Sequence, residues 1–331
     1  MKTLALFNHK GGVGKTTLTI NLANAIADMG KTVLVADADP QCNLSSFYLD
    51  EKFLDELLGE SDDSESKGTL WAAVKPVVMG RGDTLDIDAF EIAERISLAV
   101  GDVLLSDYEE ELPAAWTESF ARKTRGYDVI SALPRVVRRL ADKIEVDIVM
   151  YDVGPNVGPL NRTVLLDCDY FITPVHTDLY SLRALTTVGR SLARWITDWS
   201  TVRKLASRTE QARLMRGKPK FIGYVSSAYK VYGGHKAIAH EHWEKMLGPR
   251  IKSRMVDVLR KADENCVLFP PYKIGDVQNF HSMAADAQKH GLPIAKLAGL
   301  VRSRQDPTID EIRQQFAQLA RGVLKRMEFD D

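Results

Sequence analysis

Residues 8–17 read Asn-His-Lys-Gly-Gly-Val-Gly-Lys-Thr-Thr, and they lie between an apolar run, Thr3–Phe7, and a segment of helical periodicity. Gly11, Gly12 and Gly14 allow the backbone to turn at positive φ and to approach an anion with no Cβ in the way. Their amides, that of Val13, and the free N–H groups of the helix that follows form an anion cradle. Lys15 is placed to reach the β and γ phosphates, Thr16 to offer its hydroxyl to Mg²⁺, and Thr17 to stand near the α phosphate. The general phosphate-loop pattern is G-x-x-x-x-G-K-[ST]. Gly14-Lys15-Thr16 fits its end, but His9 stands where the first glycine belongs and a second lysine, Lys10, follows it.

The flanks support this reading. Leu18, Leu22, Ala25, Ile26 and Met29 recur at helical spacing, and Gly30 suits the left-handed position after the helix. Lys31–Ala36 then reads as a buried parallel strand. A dinucleotide-binding loop fits less well, because Thr17 occupies the place of the third glycine in G-x-G-x-x-G. Further strands are predicted at Ile96–Val100, Val146–Tyr151, Tyr170–Val175, Phe221–Val225 and Cys266–Phe269. Ser106-Asp-Tyr-Glu109 has the form of a capping box. The acidic stretch 50–66 reads as a solvated loop, and Asp306-Pro307 as the cap and first residue of a last helix carrying Ile309, Ile312, Phe316, Leu319 and Leu324. Strands alternating with helices predict an α/β fold: a doubly wound, mostly parallel sheet with helices on both faces, of the P-loop, Rossmann-like kind. No linker divides the 331 residues, so a single domain, 1–331, is expected.

Three aspartates follow strands. Asp37 and Asp39 end the second, and Asp152 ends Val146–Tyr151. In an open parallel sheet, ligands bind beyond the carboxyl ends of the strands. All three carboxylates should therefore face the phosphate loop. Phosphoryl transfer needs Mg²⁺ to neutralise charge and a water held in line with the leaving oxygen. Asp152 suits the metal, and one of the Asp37/Asp39 pair suits the water.

Composition sets limits on the rest. The net charge is −1, so any nucleic-acid contact must come from a local patch. Cys42, Cys168 and Cys266 are scattered and form no C-x-x-C, which gives no metal or disulfide framework. The phosphate loop begins almost at Met1 and no apolar run reaches membrane-spanning length, so a cytoplasmic chain is expected. His240 and His242, two apart on a predicted helix, do not share a face and read as surface residues. Between Arg183 and Lys220 there are ten basic residues (Arg183, Arg190, Arg194, Arg203, Lys204, Arg208, Arg213, Arg216, Lys218, Lys220) against Asp198 and Glu210, a net +8. That segment suits non-specific contact with a phosphate backbone. The C-terminus ends acidic and lacks the basic amphipathic character of a membrane anchor.

These residues resemble one family. Lys10-Gly-Gly-Val-Gly-Lys-Thr-Thr is similar to the deviant Walker A loop of the ParA/MinD ATPases. Asp37-Ala-Asp-Pro-Gln-Cys-Asn43 resembles their switch I, Asp152-Val-Gly-Pro-Asn-Val-Gly158 their switch II, and Asn161 follows at the family's spacing. Asp169–Val175, Arg183-Ala-Leu and Ala284–Pro293 extend the likeness along the chain. The resemblance implies an Mg-dependent ATPase in which Lys10 reaches across a homodimer to the partner's nucleotide. It further implies that Asp39 positions the hydrolytic water, that Asp37 and Asp152 hold Mg²⁺ through its waters, and that the Gly154 amide senses the γ phosphate. Ser227 and Pro271 fall near the positions implied to contact adenine. Cys42 in place of glycine, Gly154 in place of proline, and Val231-Tyr-Gly-Gly-His after Ser226–Tyr229 depart from the pattern. No helix-turn-helix extension precedes the loop, which argues against operator-specific repression. The function expected is an ATP-dependent dimeric switch with slow hydrolysis and non-specific DNA binding. It would serve plasmid or chromosome partition or cargo positioning, on the nucleoid and with a stimulating ParB-like partner. The alternative is a nucleotide-gated module of a regulatory or defence complex.

Overall fold

The computed structural model describes residues 1–61, 68–229, 231–232, 235–236, 238–280, 283–301 and 306–329. Among these residues ten strands are present: β1 Lys2–Leu6, β2 Val33–Asp37, β3 Phe90–Ala93, β4 Ile96–Ala99, β5 Ile148–Asp152, β6 Tyr170–His176, β7 Lys220–Tyr229, β8 Val231–Tyr232, β9 His235–Lys236 and β10 Lys273–Gln278. The helices are α1 Lys15–Ala27, α2 Ser45–Tyr48, α3 Glu51–Ser61, α4 Leu70–Val78, α5 Leu105–Phe120, α6 Thr124–Lys143, α7 Pro159–Asp167, α8 Leu179–Leu205, α9 Arg208–Arg213, α10 Ile238–Ile251, α11 Asp257–Ala262, α12 Met283–His290 and α13 Asp306–Arg326. A π-helical turn, Lys252–Val256, joins α10 to α11.

Eight strands form one sheet in the order β10-β7-β6-β1-β5-β2-β4-β3, and β8 pairs only with β9. Every neighbouring pair in the large sheet is parallel except the β3–β4 hairpin. The expected architecture is thus the one present, with a core on each face. Successive residues of a strand point to opposite sides. Ala5, Leu34 and Ala36 join a core with α4 to α8, whereas Leu4, Leu6, Val33 and Val35 join one with α1 and α13. Ile309, Ile312, Phe316, Leu319 and Leu324 are all buried in that second core. The side chains of Asp306 and Pro307, and those of His240 and His242, lie outside the described residues.

Three expectations are corrected. The acidic stretch is largely the helix α3, because Phe53, Leu54 and Leu57 recur at helical spacing and pack on the second core; residues 62–66 lie outside the described residues. The last strand is β10 and not Cys266–Phe269. Val267 makes one bridge to Phe221, and Phe269 is 85% exposed. Pro270 and Pro271 follow and have no N–H to continue a ladder. The capping box at Ser106 does not form. The turn into α5 is held earlier, where Leu104 N–H donates to Asp102 Oδ1 at 2.9 Å, and Ser106 Oγ instead donates to Val103 O.

The longest helix, α8, runs for 27 residues, roughly 40 Å. It leaves β6 at the carboxyl ends of the parallel strands, capped by Asp178, whose side chain accepts from Ser181 N–H at 2.8 Å. Midway, at Gly189, it comes up against the Lys252–Val256 turn. A Cβ there would lie 2.1 Å from the Arg254 carbonyl oxygen, a backbone atom that cannot rotate away. Gly189→Ala should therefore destabilise the fold by about 1–3 kcal/mol through overpacking. The urea midpoint should fall; an unchanged midpoint would refute the close approach.

Candidate nucleotide site

The loop after β1 takes the shape its glycines allow. Gly12 and Gly14 have φ of 72° and 79°, in the left-handed region. Gly14 is the N-cap of α1, makes no side-chain cap bond, and is followed by no acidic residue in the first turn. The free N–H groups of α1 and the positive end of its dipole are thus left for an anion. A cleft of about 430 Å³ opens over them, bordered by Gly12, Lys15, Thr16, Asp39, Asn43 and Gln288. Thr17 also lines it. Lys15 is 7% exposed, and burial pulls its pKa down while Asp152 and Asp39 push back.

The three aspartates converge as expected. Asp37 and Asp152 end adjacent strands in register, and both are fully buried. Thr16 Oγ1 donates to Asp152 Oδ2 at 2.7 Å. Asp37 Oδ2 accepts from both the amide and the hydroxyl of Ser45, at 2.8 and 2.7 Å. Asp152 Oδ1 is buried and has no hydrogen-bond partner among the described residues. Burial first, and the neighbouring carboxylates with it, raise Asp37 to about 6 and Asp152 to about 8. A pair of buried carboxylates beside a hydroxyl, one oxygen left without a donor, fits a hard divalent cation with oxygen ligands. Asp39 is also buried, and its Oδ1 accepts from Gln41 N–H at 3.0 Å. Gly154 faces it: a Cβ there would lie 3.2 Å from Asp39 Oδ1. Cys42 takes the left-handed conformation, φ 52°, that glycine favours.

Lys10 does not point at its own loop. Its ammonium donates to Asp178 Oδ2 at 2.6 Å and to Ser181 Oγ at 3.0 Å, at the start of α8. Burial works to raise the Asp178 carboxyl, but the hydrogen bonds from Lys10 and Ser181 outweigh it and hold the group below its usual range. Beside this pair, Leu179 and Tyr180 are 45% and 72% exposed. Ser227 reaches the loop, donating from Oγ to Val13 O at 3.3 Å. Pro271 does not. It precedes β10 and is level with Ile222, since Arg326 donates to the carbonyls of both. Five residues of strand, roughly 16 Å, separate that level from Ser227.

The basic segment does not form one patch. Arg183 stands beside Lys10 at one end of α8. Arg203, Lys204, Arg216 and Lys218 border a cleft at the other end, and Lys2 and Lys220 lie close by at the amino ends of β1 and β7. Arg216 pairs with Asp169 and Lys218 with Asp263. Sequence reasoning missed Ser45, which follows Asp37 by eight residues, and Asp178, whose partner Lys10 lies 168 residues away; neither role has a motif of its own. It also gave Glu109 the wrong role.

A family model described as an AAA domain matches residues 1–201, which hold the phosphate loop, all three aspartates and most of α8. The sporulation initiation inhibitor protein Soj of Bacillus subtilis is 29% identical over 185 residues, 56% of this chain and 62% of Soj. The chain thus spans about three fifths of the length of that curated relative. Two solved structures share the fold over nearly the whole of both chains. A Corynebacterium diphtheriae protein has TM-score 0.74 and 23% identity, covering 99% of each chain. The ATP complex of Cyanothece McdA has TM-score 0.64 and 15% identity, covering 100% of this chain and 98% of that one.

The buried carboxylates make stability depend on pH. Both folded pKa values lie above the unfolded value near 4. Their contribution is fully present below about pH 4 and is lost as pH rises through about 6 and about 8. In chelator and without nucleotide, the melting temperature should fall between pH 5 and 8.5, and fall less in Asp152→Asn. A wild-type curve that rises over this range would contradict the burial of the pair.

Proposed function

The chain belongs to the ParA/MinD family of P-loop ATPases, and on that premise we propose that it is a single-domain, ATP-dependent dimeric switch. Its cycle would be ATP binding, pairing of two chains, contact with DNA, and slow hydrolysis that resets the monomer. The observation that carries the reading is the berth of Lys10. A lysine at the lip of a phosphate loop that bonds Asp178 and Ser181 lies outside its own cradle. It stands beside the exposed Leu179 and Tyr180, on a surface that a second copy could cover.

The residues divide the chemistry. The amides of Gly11, Gly12, Val13 and Gly14 and the ammonium of Lys15 would bind the phosphates, with Thr17 at the α phosphate. Thr16, Asp37 and Asp152 would hold Mg²⁺, directly or through its waters. The metal would neutralise charge on the phosphate oxygens. Asp39 would orient a water toward the γ phosphorus, and the P–O bond to ADP would break as the water oxygen bonds. The amide of Gly154, whose Cα faces Asp39, would report whether the γ phosphate is present. Ser227, at the loop's far wall, is the remaining candidate for the base end.

Partition of DNA or positioning of another cargo, in the cytoplasm or on the nucleoid and with a stimulating partner protein, is the role this cycle would serve. No helix of the described residues is long and apolar enough to cross a membrane. The cations at the far end of α8 supply a surface for phosphate backbones.

Two experiments test this. With ATP and Mg²⁺, Asp39→Ala should accumulate as a dimer by light scattering, and Lys10→Ala should stay monomeric with hydrolysis reduced at least tenfold. A monomeric Asp39→Ala protein under ATP would sink the switch. In gel shifts the parent should bind DNA only with ATP. Lys204→Glu with Arg216→Glu should flatten the log K against log salt slope by about 2, one for each lost contact. Absence of ATP-dependent binding by the parent would turn the reading toward a nucleotide-gated module of another complex.

A further inference from the structure

Glu109, on α5, is half-buried and does not close a turn of its own helix. It crosses to α7, the helix that follows the loop carrying Gly154. That helix starts without a cap of its own. Its N-cap is Gly158, which has no side chain, Pro159 has no N–H, and the first turn holds no acidic residue. The opening N–H groups of a helix need acceptors from somewhere. The Glu109 carboxylate lies over these groups, and the Leu160 N–H works against burial to hold its carboxyl down. Its Oε1 occupies the space a side chain at 158 would need, since a Cβ there would lie 2.1 Å away. Carboxylate charge also suits the positive end of the helix dipole.

The same loop is tethered from inside. Asn161 Nδ2 donates to Gly154 O at 2.9 Å, to Asn156 O at 3.0 Å and to Asn156 Oδ1 at 2.7 Å. Gly158 N–H closes onto Asn156 Oδ1 at 2.9 Å. The segment from Gly154 to Gly158 is thus held by Asn161 on one side and by Glu109 on the other. Asp39 faces Gly154, and its charge is near enough to add to burial in raising the Glu109 carboxyl.

We infer that Glu109 is a positioning residue for hydrolysis: it caps the α7 N-terminus from α5 and so fixes the Gly154 amide against Asp39 and the phosphate cleft. The inference rests on the ATPase reading of that cleft. It assigns Gly158 a reason as well, because any larger residue would displace the cap.

Steady-state turnover and ATP affinity are measured separately on the full chain. Glu109→Ala should lower kcat about tenfold and leave the ATP Kd within about twofold, since a cap is lost and the phosphate cradle is untouched. Glu109→Gln keeps an acceptor oxygen and should restore most of the rate. Gly158→Ala should slow turnover at least as much as Glu109→Ala, because its Cβ would meet both Glu109 Oε1, at 2.1 Å, and Asn156 Oδ1, at 2.8 Å. Amide exchange at Leu160 should quicken in Glu109→Ala and not in Glu109→Gln. Parent-level turnover in Glu109→Ala, or a Gln variant as slow as the Ala variant, would overturn the inference. A parent chain with no turnover sinks the ATPase reading, and this inference with it.

Discussion

Asp37 and Asp152 end neighbouring strands side by side, buried and in register, and the rest of the site follows from that placement. Two carboxylates that close and that dry cannot both ionise without compensation: burial lifts both, and a neighbouring charge adds to it, Asp39 acting on Asp37 and Asp37 on Asp152. The chain compensates the two carboxylates from different elements. Thr16, one residue after the loop lysine, satisfies one side of Asp152, and Ser45 satisfies Asp37 twice. The remaining oxygen of Asp152 has no donor among the described residues. A divalent cation would relieve the repulsion and fill that place together, so occupancy and stability are coupled through one pair of side chains.

The loops around this pair are fastened at a distance. Lys10 is anchored to Asp178, 168 residues later, and Val13 to Ser227, 214 residues later. Glu109 of α5 lies against Gly158, at the end of the Gly154 loop. Each fastening joins a segment that meets the nucleotide cleft to a strand or helix whose position is set by a core. Glycine at 158 and a non-glycine at Cys42 show the two sides of this arrangement. The first makes room for a long-range contact, and the second accepts a left-handed backbone although it carries a side chain. The Asp39–Cys42 turn is closed by Cys42 N–H donating to Asp39 O at 2.8 Å, and this helps hold the strained residue in place.

How much of this could be read from the residues depends on whether the cause is local. The phosphate loop, the aspartates after β2 and β5, and the buried strands were legible because glycine, lysine and apolar runs act over a few positions. β10 was not. Gly275 and Asp276 interrupt its apolar pattern, and only pairing with β7 makes it a strand. Pro271 was misplaced for the same reason, since its height along the sheet depends on that unseen register. Ser106 and Glu109 had the right spacing for a capping box, but Asp102 had already closed the turn. A motif of two residues gives way when a better acceptor sits one turn earlier.

α8 adds a further constraint on how ATP could control anything at the far edge of the molecule. Its first turn holds Lys10, and its last turns carry Arg203 and Lys204, roughly 40 Å away. No nucleotide atom can touch both ends. Gly189 pins the helix midway against Arg254 O, which leaves little room for it to slide. A local rearrangement at the loop would therefore be spent before reaching the basic cleft. Pairing two chains needs no such transmission. It would place two cation clusters in one particle, and the second contact with DNA would then be intramolecular, raising avidity by orders of magnitude with no change in either cluster. The rigidity of α8 thus favours control by assembly over control by conformational relay along the helix.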